Sequence, residues 1–198
     1  MRIGVLAVQG AFAEHISRLK ALGAEAFEIR QKTDLEGPFD GLILPGGEST
    51  AMRKLLNELD LHRPLKAAID GGLPVFGTCA GMILLAGAIE GGEAPCFGTL
   101  NITVKRNAYG RQLGSFRCRD RFAGQETEMP FIRAPYAAQV GEGVTVLAQH
   151  DGRIVAVRQG NILATAFHPE LTNDRAVYDC FFQMIENRSG ISYNRNMN

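Results

Sequence analysis

The sequence lacks the features by which several broad classes of protein are recognised. It has no tryptophan and no excess of either charge, since 21 Lys and Arg residues balance 21 Asp and Glu residues among 198. A neutral chain has no excess of basic residues to neutralise phosphates, so neither nucleic acid nor an anionic membrane is expected as a partner. Its 45% share of hydrophobic residues argues against general disorder.

The apolar segments are short, and the chain length fits one domain. The first apolar run spans only about six residues and is followed by Gln9 and Glu14, which is too short for a signal sequence or a membrane span. We therefore expect a cytoplasmic protein. At roughly 150 residues per domain, the length predicts a single domain that can bury its own core.

Cysteine is present but shows no pairing pattern. The four residues are Cys79, Cys96, Cys118 and Cys180. No two of them form a C-x-x-C pair, which argues against a zinc knuckle, a redox motif or a disulfide framework. We expect no metal and no organic cofactor, and we interpret all of the cysteines except Cys79 as packing or surface thiols.

Short strands and helices alternate through the first half of the chain. Apolar runs predict strands over 2–8, 26–30, 41–44 and 74–77, and helical spacing predicts helices over 11–22, 50–59, 61–70 and 80–89. Such alternation is typical of right-handed βαβ units around a parallel sheet.

The second half of the chain changes character. From 98 to 166, short strands separated by Gly, Asp and Asn turns predict antiparallel pairing, and a last helix is predicted over 174–187. The whole pattern predicts one α/β domain over 1–188, with a mostly parallel central sheet flanked by helices. A polar tail is predicted over 189–198.

The most informative segment is GTCAG at residues 77–81, where a predicted strand meets a predicted helix. It is a cysteine version of the G-x-S-x-G elbow, in which small neighbours permit a strained turn that exposes the nucleophile. The N-terminus of the following helix favours thiolate over thiol, and the Ala80 N–H could help to bind an oxyanion. The alternative is a buried cysteine in a glycine-rich turn, the more frequent outcome for a lone cysteine.

A base for this nucleophile is predicted in the segment HPE at residues 168–170. Pro169 biases His168 towards an extended conformation, in which residues two apart point the same way, so the Glu170 carboxylate can orient the imidazole. Together with Cys79 these residues form a candidate nucleophile–base–acid triad. The alternative is a His-Pro turn followed by a carboxylate at a helix start.

The other three histidines are given no catalytic role. His15 and His62 lie on predicted helices beside charged residues and are interpreted as surface or interface histidines. His150 precedes Asp151 and Gly152, a hairpin-turn signature, and is interpreted as a turn residue.

A second glycine cluster, LPGGEST at residues 44–50, also joins a predicted strand to a helix. Its free N–H groups could cradle a phosphate or an oxyanion. Nucleotide binding is only weakly indicated, because the loop lacks both the lysine of a P-loop and the spacing of G-x-G-x-x-G. The alternative is a plain turn, in which Ser49 or Thr50 caps the next helix.

Taken together, GTCAG, PGGEST and HPE resemble the class I glutamine amidotransferase family, whose Cys-His-Glu triad hydrolyses the side-chain amide of glutamine. Longer strings resemble, within that family, the glutaminase subunits of pyridoxal 5′-phosphate synthases. They are LAVQGAFAEH (6–15), LPGGEST (44–50), FGTCAGMILLA (76–86), RNAYGRQ (106–112), FIRAP (131–135) and HPELT (168–172). The resemblance covers nearly the whole chain and implies a flavodoxin-like class I glutamine amidotransferase fold with glutaminase activity.

Carried over by position, the resemblance implies that Cys79 is the nucleophile, His168 the base and Glu170 its orienting partner. It implies that L-glutamine is held by Gly47, Glu48, Ser49, Arg106, Ile132 and Arg133, with the N–H groups of Gly47 and Ala80 forming the oxyanion hole. An α-carboxylate and an α-ammonium need cations, N–H donors and acceptors, which the arginines and Glu48 could supply.

The resemblance also implies a partner that consumes the ammonia. In this family a separate synthase subunit, a barrel enzyme, builds pyridoxal phosphate from ammonia, a pentose phosphate and a triose phosphate, and the glutaminase is idle until docked. One alternative is a γ-glutamyl peptidase or another amidotransferase on the same fold, which stimulation of ammonia release by the synthase would distinguish. The other is a non-catalytic flavodoxin-like binding module with a structural Cys79, which the activity of a Cys79→Ala protein would distinguish.

Overall fold

A computed structural model describes residues 1–106 and 114–189 of the chain. Its strands are β1 (Arg2–Leu6), β2 (Glu25–Ile29), β3 (Gly41–Leu44), β4 (Val75–Thr78), β5 (Ala86–Ile89), β6 (Leu100–Lys105), β7 (Ser115–Phe122), β8 (Gln125–Ile132), β9 (Tyr136–Val140), β10 (Thr145–His150), β11 (Arg153–Gln159) and β12 (Ile162–Thr165). Its α-helices are α1 (Phe12–Ala21), α2 (Ser49–Glu58), α3 (His62–Asp70), α4 (Ala80–Leu85) and α5 (Ala176–Ser189). Short 3₁₀ turns cover Lys32–Leu35 and Pro169–Leu171.

Ten of the described strands form one sheet in the order β2-β1-β3-β4-β12-β11-β9-β6-β5, with β10 paired to β11. The first four pairs in this order, β2-β1, β1-β3, β3-β4 and β4-β12, are parallel. Strand β11 pairs antiparallel with β12, β10 and β9, while β6 pairs antiparallel with β9 and parallel with β5. Strands β7 and β8 form a separate antiparallel hairpin. The predicted α/β fold, mostly parallel with antiparallel strands in its second half, is confirmed.

The central strands β3 and β4 are buried along their whole length. Side chains such as Leu42, Ile43 and Phe76 have no exposed surface, as expected for strands that are covered on both faces. Burying each such side chain stabilises the fold by about 1.5–3 kcal/mol. This core fixes the positions of the strand ends from which the candidate site is built.

The apolar run after the elbow is only partly helical, so the helix predicted over 80–89 is wrong in its second part. Helix α4 ends at Leu85, and Ala86–Ile89 forms β5, which pairs in parallel with β6. Gly87 has a low helix propensity, and a Cβ there would lie 3.1 Å from the Leu100 carbonyl oxygen. Short apolar runs fit a helix or a buried strand equally well, and here pairing with β6 decides the outcome.

Helix α5 confirms the last predicted helix and packs against β3. A Cβ at Gly41 would lie 2.7 Å from Ile185 Cδ1 and 2.9 Å from Phe181 Cζ, so the missing side chain lets the helix approach the sheet closely. The helix begins at Ala176 and ends at Ser189. The remaining positions of the predicted polar tail, 190–198, lie outside the described residues. In the described ranges no helix is both long and apolar enough to cross a membrane.

Candidate active site

A cavity of about 540 Å³ opens beyond the ends of β3, β4 and β8. It is lined by Gln9, Gly10, Ala11, Gly46, Gly47, Glu48, Ser49, Cys79, Ile83, Arg106, Ile132, Arg133 and His168. The predicted site residues all contribute to this lining except Ala80, which follows Cys79 in the chain, and Glu170, which contacts His168. The structure thus brings the predicted residues together around one space.

A wider cleft of about 700 Å³ lies beside Glu170. Its lining includes the charged side chains of Glu14, Arg18, Arg117 and Glu128, but neither Cys79 nor His168. This cleft holds no candidate nucleophile, so we place the candidate active site in the cavity at Cys79.

Cys79 occupies a strained turn between β4 and α4. Its φ of 47° and ψ of −99° lie in a region that non-glycine residues rarely adopt, at a cost of about 1–3 kcal/mol. The flanking glycines make the turn possible, because a Cβ at Gly81 would lie 2.1 Å from the Leu44 carbonyl oxygen and one at Gly77 would lie 2.7 Å from the Gly81 backbone. The turn has the form of the predicted elbow, with Ala80 as the first residue of α4.

The elbow contacts β12 through its backbone and β8 through its sulfur. The Cys79 N–H donates to the Thr165 carbonyl oxygen at 2.8 Å, and Thr165 pairs in register with Thr78 across β12 and β4. The Cys79 Sγ lies 3.8 Å from the carbonyl oxygen of Ile132, at the end of β8. The nucleophile candidate therefore has both its backbone and its sulfur positioned by strands from the second half of the chain.

His168 and Glu170 follow β12 and form a buried pair. The His168 Nδ1 lies 2.7 Å from Glu170 Oε1, and Nε2 is buried without a hydrogen bond to the described residues. Burial alone would lower the pKa of His168, but the neighbouring Cys79 sulfur and the Glu170 carboxylate raise it to about 10. Burial would raise the pKa of Glu170, yet His15 and His168 hold it below its usual value. The pair is therefore an imidazolium and a carboxylate near neutral pH.

This pair predicts a pH-dependent stability. A histidine whose pKa is raised from 6.5 to about 10 stabilises the folded state fully below pH 6.5, and this contribution is lost as the pH rises through about 10. We expect the difference in unfolding free energy between the wild type and His168→Asn to shrink across that range. Urea unfolding of both proteins at several pH values measures it, and a difference that stays constant or grows with pH would contradict the pairing.

The loop after β3 packs directly against the pair. A Cβ at Gly46 would lie 2.4 Å from His168 Cε1, so only glycine leaves room for the imidazole. The Gly46 carbonyl oxygen accepts the Ala11 N–H at 2.9 Å, and the Glu48 N–H donates to Gln9 Oε1 at 2.8 Å. The sequence does not predict this role for Gln9, because a single polar residue after a strand forms no pattern that indicates a contact with a distant loop.

Glu48, rather than Ser49 or Thr50, caps α2, so the predicted capping residue is wrong. Its carboxylate accepts the N–H groups of Ala51 at 2.8 Å and Thr50 at 3.2 Å. The Ala51 N–H is the main cause that lowers the pKa of Glu48, and the Thr50 N–H and Arg106 add to it. A carboxylate three residues before Ala51 satisfies the free N–H groups of the first turn as well as a hydroxyl does.

Two arginines border the cavity. Arg106 Nη2 lies 3.0 Å from Glu93 Oε1, and its Nε is buried without a hydrogen bond to the described residues. Arg133 follows β8 with a φ of 44°, and its N–H donates to the Gly114 carbonyl oxygen at 2.6 Å. Most of the string that begins at Arg106, residues 107–112, lies outside the described residues.

The histidines without a predicted role lie in three different surroundings. His15 is fully buried, so its interpretation as a surface or interface histidine is wrong. His62 is half-buried, with its ring stacked on Phe97. His150 is the last residue of β10 rather than part of the turn, and its Nδ1 lies 3.0 Å from Asp120 Oδ2. A charged neighbour in the sequence does not indicate exposure here, because a polar residue can lie on the buried face of a helix when it finds polar partners there.

The other cysteines are half-buried free thiols. Burial raises the pKa of the Cys96 thiol to about 11. Burial also raises the pKa of Cys180. Burial and the negative charges of Asp120 and Asp151 raise the pKa of Cys118. These thiols are protonated at neutral pH and lie in no strained elbow.

The chain is similar to known proteins over most of its length. The sequence model of the SNO glutamine amidotransferase family matches residues 5–187. A relative from Methanocorpusculum labreanum, named pyridoxal 5′-phosphate synthase subunit PdxT, is 58% identical over 186 residues, which cover 93% of this chain and 98% of that protein. A protein of the same name from Desulfitobacterium hafniense is 53% identical over 186 residues, covering 93% and 94%.

Solved structures share the fold as well. A crystal structure of a glutamine amidotransferase matches with a TM-score of 0.87 and 46% identity, covering 92% of this chain and 98% of that one. The structure of PurLQS from Thermotoga maritima matches with a TM-score of 0.67 at 17% identity, covering 95% and 98%, and resembles this chain in fold alone.

Proposed function

The chain belongs to the SNO glutamine amidotransferase family, and on that premise we propose that it hydrolyses L-glutamine to L-glutamate and ammonia. The ammonia passes to the synthase subunit of a pyridoxal 5′-phosphate synthase. The observation that carries the proposal is that the strained Cys79 and His168 line the same cavity, with His168 bonded to Glu170. We assign residues 1–188 to this glutaminase domain, in keeping with a family match that ends at residue 187.

The reaction proceeds through a thioester. The Cys79 thiolate attacks the side-chain amide carbon of glutamine, and a carbon–sulfur bond forms as the carbon–nitrogen bond breaks. His168 gives its proton to the departing ammonia, and Glu170 stabilises the imidazolium. Water then gives a proton to His168 and attacks the thioester, which releases glutamate and restores the thiolate. The raised pKa of His168, about 10, supports its starting as the acid.

Two groups of residues hold the substrate in this proposal. The N–H groups of Gly47 and Ala80 stabilise the oxyanion, since one lies in the loop that borders Cys79 and the other begins α4. Glutamine itself is bound by Gly47, Glu48, Ser49, Arg106, Ile132 and Arg133, which line the cavity. Arginine suits the α-carboxylate because its planar fork can donate two parallel hydrogen bonds.

The partner is supported by the names of the relatives. Both closely similar proteins described above are named subunits of pyridoxal 5′-phosphate synthase. Ammonia that leaves the cavity needs an acceptor, and we propose a hetero-oligomer with the synthase subunit, located in the cytoplasm. Docking activates the glutaminase, because an uncoupled enzyme would consume glutamine without product.

The test of this proposal is an assay of ammonia release from glutamine with and without the synthase subunit. We expect the rate to increase at least about tenfold on docking, the size of a modest allosteric coupling. Glutamate formation and pyridoxal phosphate formation are measured in parallel, with the synthase subunit alone as the control. A rate that the synthase subunit leaves unchanged would contradict the partner, and a protein that releases no ammonia in the complex would contradict the glutaminase activity.

A further inference from the structure

A second buried histidine, His15 of α1, lies behind the candidate triad. It has no exposed surface, and its Nε2 lies 3.1 Å from Thr78 Oγ1 and 3.5 Å from Glu170 Oε2. Its Nδ1 lies 2.8 Å from the Tyr178 hydroxyl. Neither His15 nor Tyr178 lines the cavity, so neither can touch a substrate bound there.

The Glu170 carboxylate uses its two oxygens differently. Oε1 accepts the His168 Nδ1–H at 2.7 Å, whereas Oε2 is buried and makes no hydrogen bond to the described residues. An unpaired buried carboxylate oxygen costs free energy and leaves the group free to turn away from its partner. A slight tilt of the His15 ring would bring Nε2 from 3.5 Å to hydrogen-bond distance of this oxygen.

The surroundings of His15 select one tautomer. A carboxylate can only accept a hydrogen bond, so the side of His15 that meets Glu170 must carry the N–H, which is Nε2. Nδ1 then accepts, and the Tyr178 hydroxyl donates to it. In the opposite tautomer a lone pair on Nε2 would point towards the carboxylate, which is unfavourable.

The charges around His15 agree with a neutral ring. Burial lowers the pKa of His15, and the charge of His168 lowers it further. The carboxylates of Glu170 and Glu14 raise the pKa, but not enough to offset the lowering. Burial also raises the pKa of Tyr178, helped by Glu170, so the hydroxyl keeps the hydrogen that it donates. The groups that face His15 are Glu14 on its own helix, Thr78 on β4, His168 and Glu170 after β12, and Tyr178 on α5.

We propose that His15 is a positioning residue for glutamine hydrolysis: it holds the Glu170 carboxylate in the orientation that His168 needs, and Tyr178 fixes its tautomer. This inference rests on the proposed function. It extends the three-residue triad by two residues, which come from the first and the last helices of the described chain.

The test compares two substitutions of His15, one without a hydrogen-bond donor and one with it. His15→Leu removes the donor, whereas the amide N–H of His15→Gln occupies the place of the imidazole Nε2–H. The rate at which iodoacetamide alkylates Cys79 is followed across pH by peptide mass spectrometry, without glutamine. We expect the pH of half-maximal alkylation to rise by about one unit in the leucine variant, because the His168 and Glu170 charges are no longer held in place beside the sulfur. In the glutamine variant we expect it to stay at the wild-type value.

Steady-state kinetics of the complex with the synthase subunit separate positioning from binding. We expect kcat of His15→Leu to fall about tenfold, the lower end of the range for losing a supporting contact, while KM stays unchanged. If the leucine and glutamine variants behave alike in both measurements, or KM rises with kcat unchanged, the positioning role is wrong. A wild type that releases no ammonia would contradict the proposed function instead, and alkylation would still decide the role of His15.

Tyr178→Phe provides a variant that keeps the packing of α5 and loses only the hydroxyl. We expect its alkylation midpoint to shift in the same direction as that of His15→Leu, by a smaller amount. If His15→Leu does not fold, as thermal unfolding would reveal, the phenylalanine variant decides the question. A phenylalanine variant with the alkylation profile of the wild type would overturn the role of the tautomer.

Discussion

Replacing Cys79 by alanine is expected to lower the rate of glutamine hydrolysis in the complex by at least about 10⁴-fold, the scale on which loss of a nucleophile acts. Without the sulfur no thioester can form, and His168 and Glu170 have no group to activate. The fold should persist, because alanine at a φ of 47° carries the same backbone strain as cysteine. Ammonia release and thermal unfolding of the purified variant measure the two effects.

The matched control for this substitution is Cys180→Ala, which removes the same atom from a half-buried position on α5. It should cost about 1 kcal/mol of stability or less and leave the rate of the folded enzyme unchanged. A Cys79→Ala protein with full activity would refute the nucleophile assignment and favour a binding module in which Cys79 is structural. Equal losses of activity in both variants would point to general destabilisation.

Substituting Gly46 by alanine should reduce kcat by roughly 100-fold, as expected for a displacement of about 1 Å in a catalytic group. The added Cβ would lie 2.4 Å from His168 Cε1 and 3.4 Å from Cys79 Cβ. His168 cannot yield easily, because its Nδ1, which would lie 3.0 Å from the added Cβ, is bonded to Glu170 at 2.7 Å. The ring must therefore leave its present position beside Cys79, and the measurement is kcat in the complex together with the alkylation rate of Cys79.

A clash of similar size far from the site is the control. A Cβ at Gly4, in β1, would lie 2.6 Å from Ile29 Cδ1. Gly4→Ala is expected to lower the thermal midpoint, like any overpacked core, but to leave kcat of the folded protein intact. If Gly46→Ala kept wild-type kcat, the close packing of the loop against His168 would have no part in catalysis.

The parts of the fold that the sequence predicted are those governed by local pattern. The run over 41–44 is apolar at every position, and the structure buries all of it as β3. The helix that the spacing predicts over 61–70 is α3, which differs from it by one residue at its start. The contact between His168 and Glu170 is present at 2.7 Å, but the extended segment from which it was predicted is wrong, because Glu170 lies in the 3₁₀ turn Pro169–Leu171.

The features that the sequence missed depend on residues far apart in the chain. The buried position of His15 depends on Tyr178 and Glu170, which come from the opposite end of the sequence. The contact of Gln9 with the loop after β3 depends in the same way on how β1 and β3 pair. The strand β5 exists because β6 offers it hydrogen bonds, and a local propensity carries no information about such a neighbour.

The pairing of β4 with β12 determines at which stage of folding Cys79 and His168 come together. Cys79 follows β4, His168 follows β12, and Thr78 lies opposite Thr165 where the two strands pair. The pairing joins the two halves of the chain, and non-local pairing of this kind forms slowly. On the proposed assignment of Cys79 and His168, a chain in which β12 has not yet joined the sheet has no assembled site and cannot hydrolyse glutamine. Glutamine hydrolysis is therefore prevented until the fold is complete.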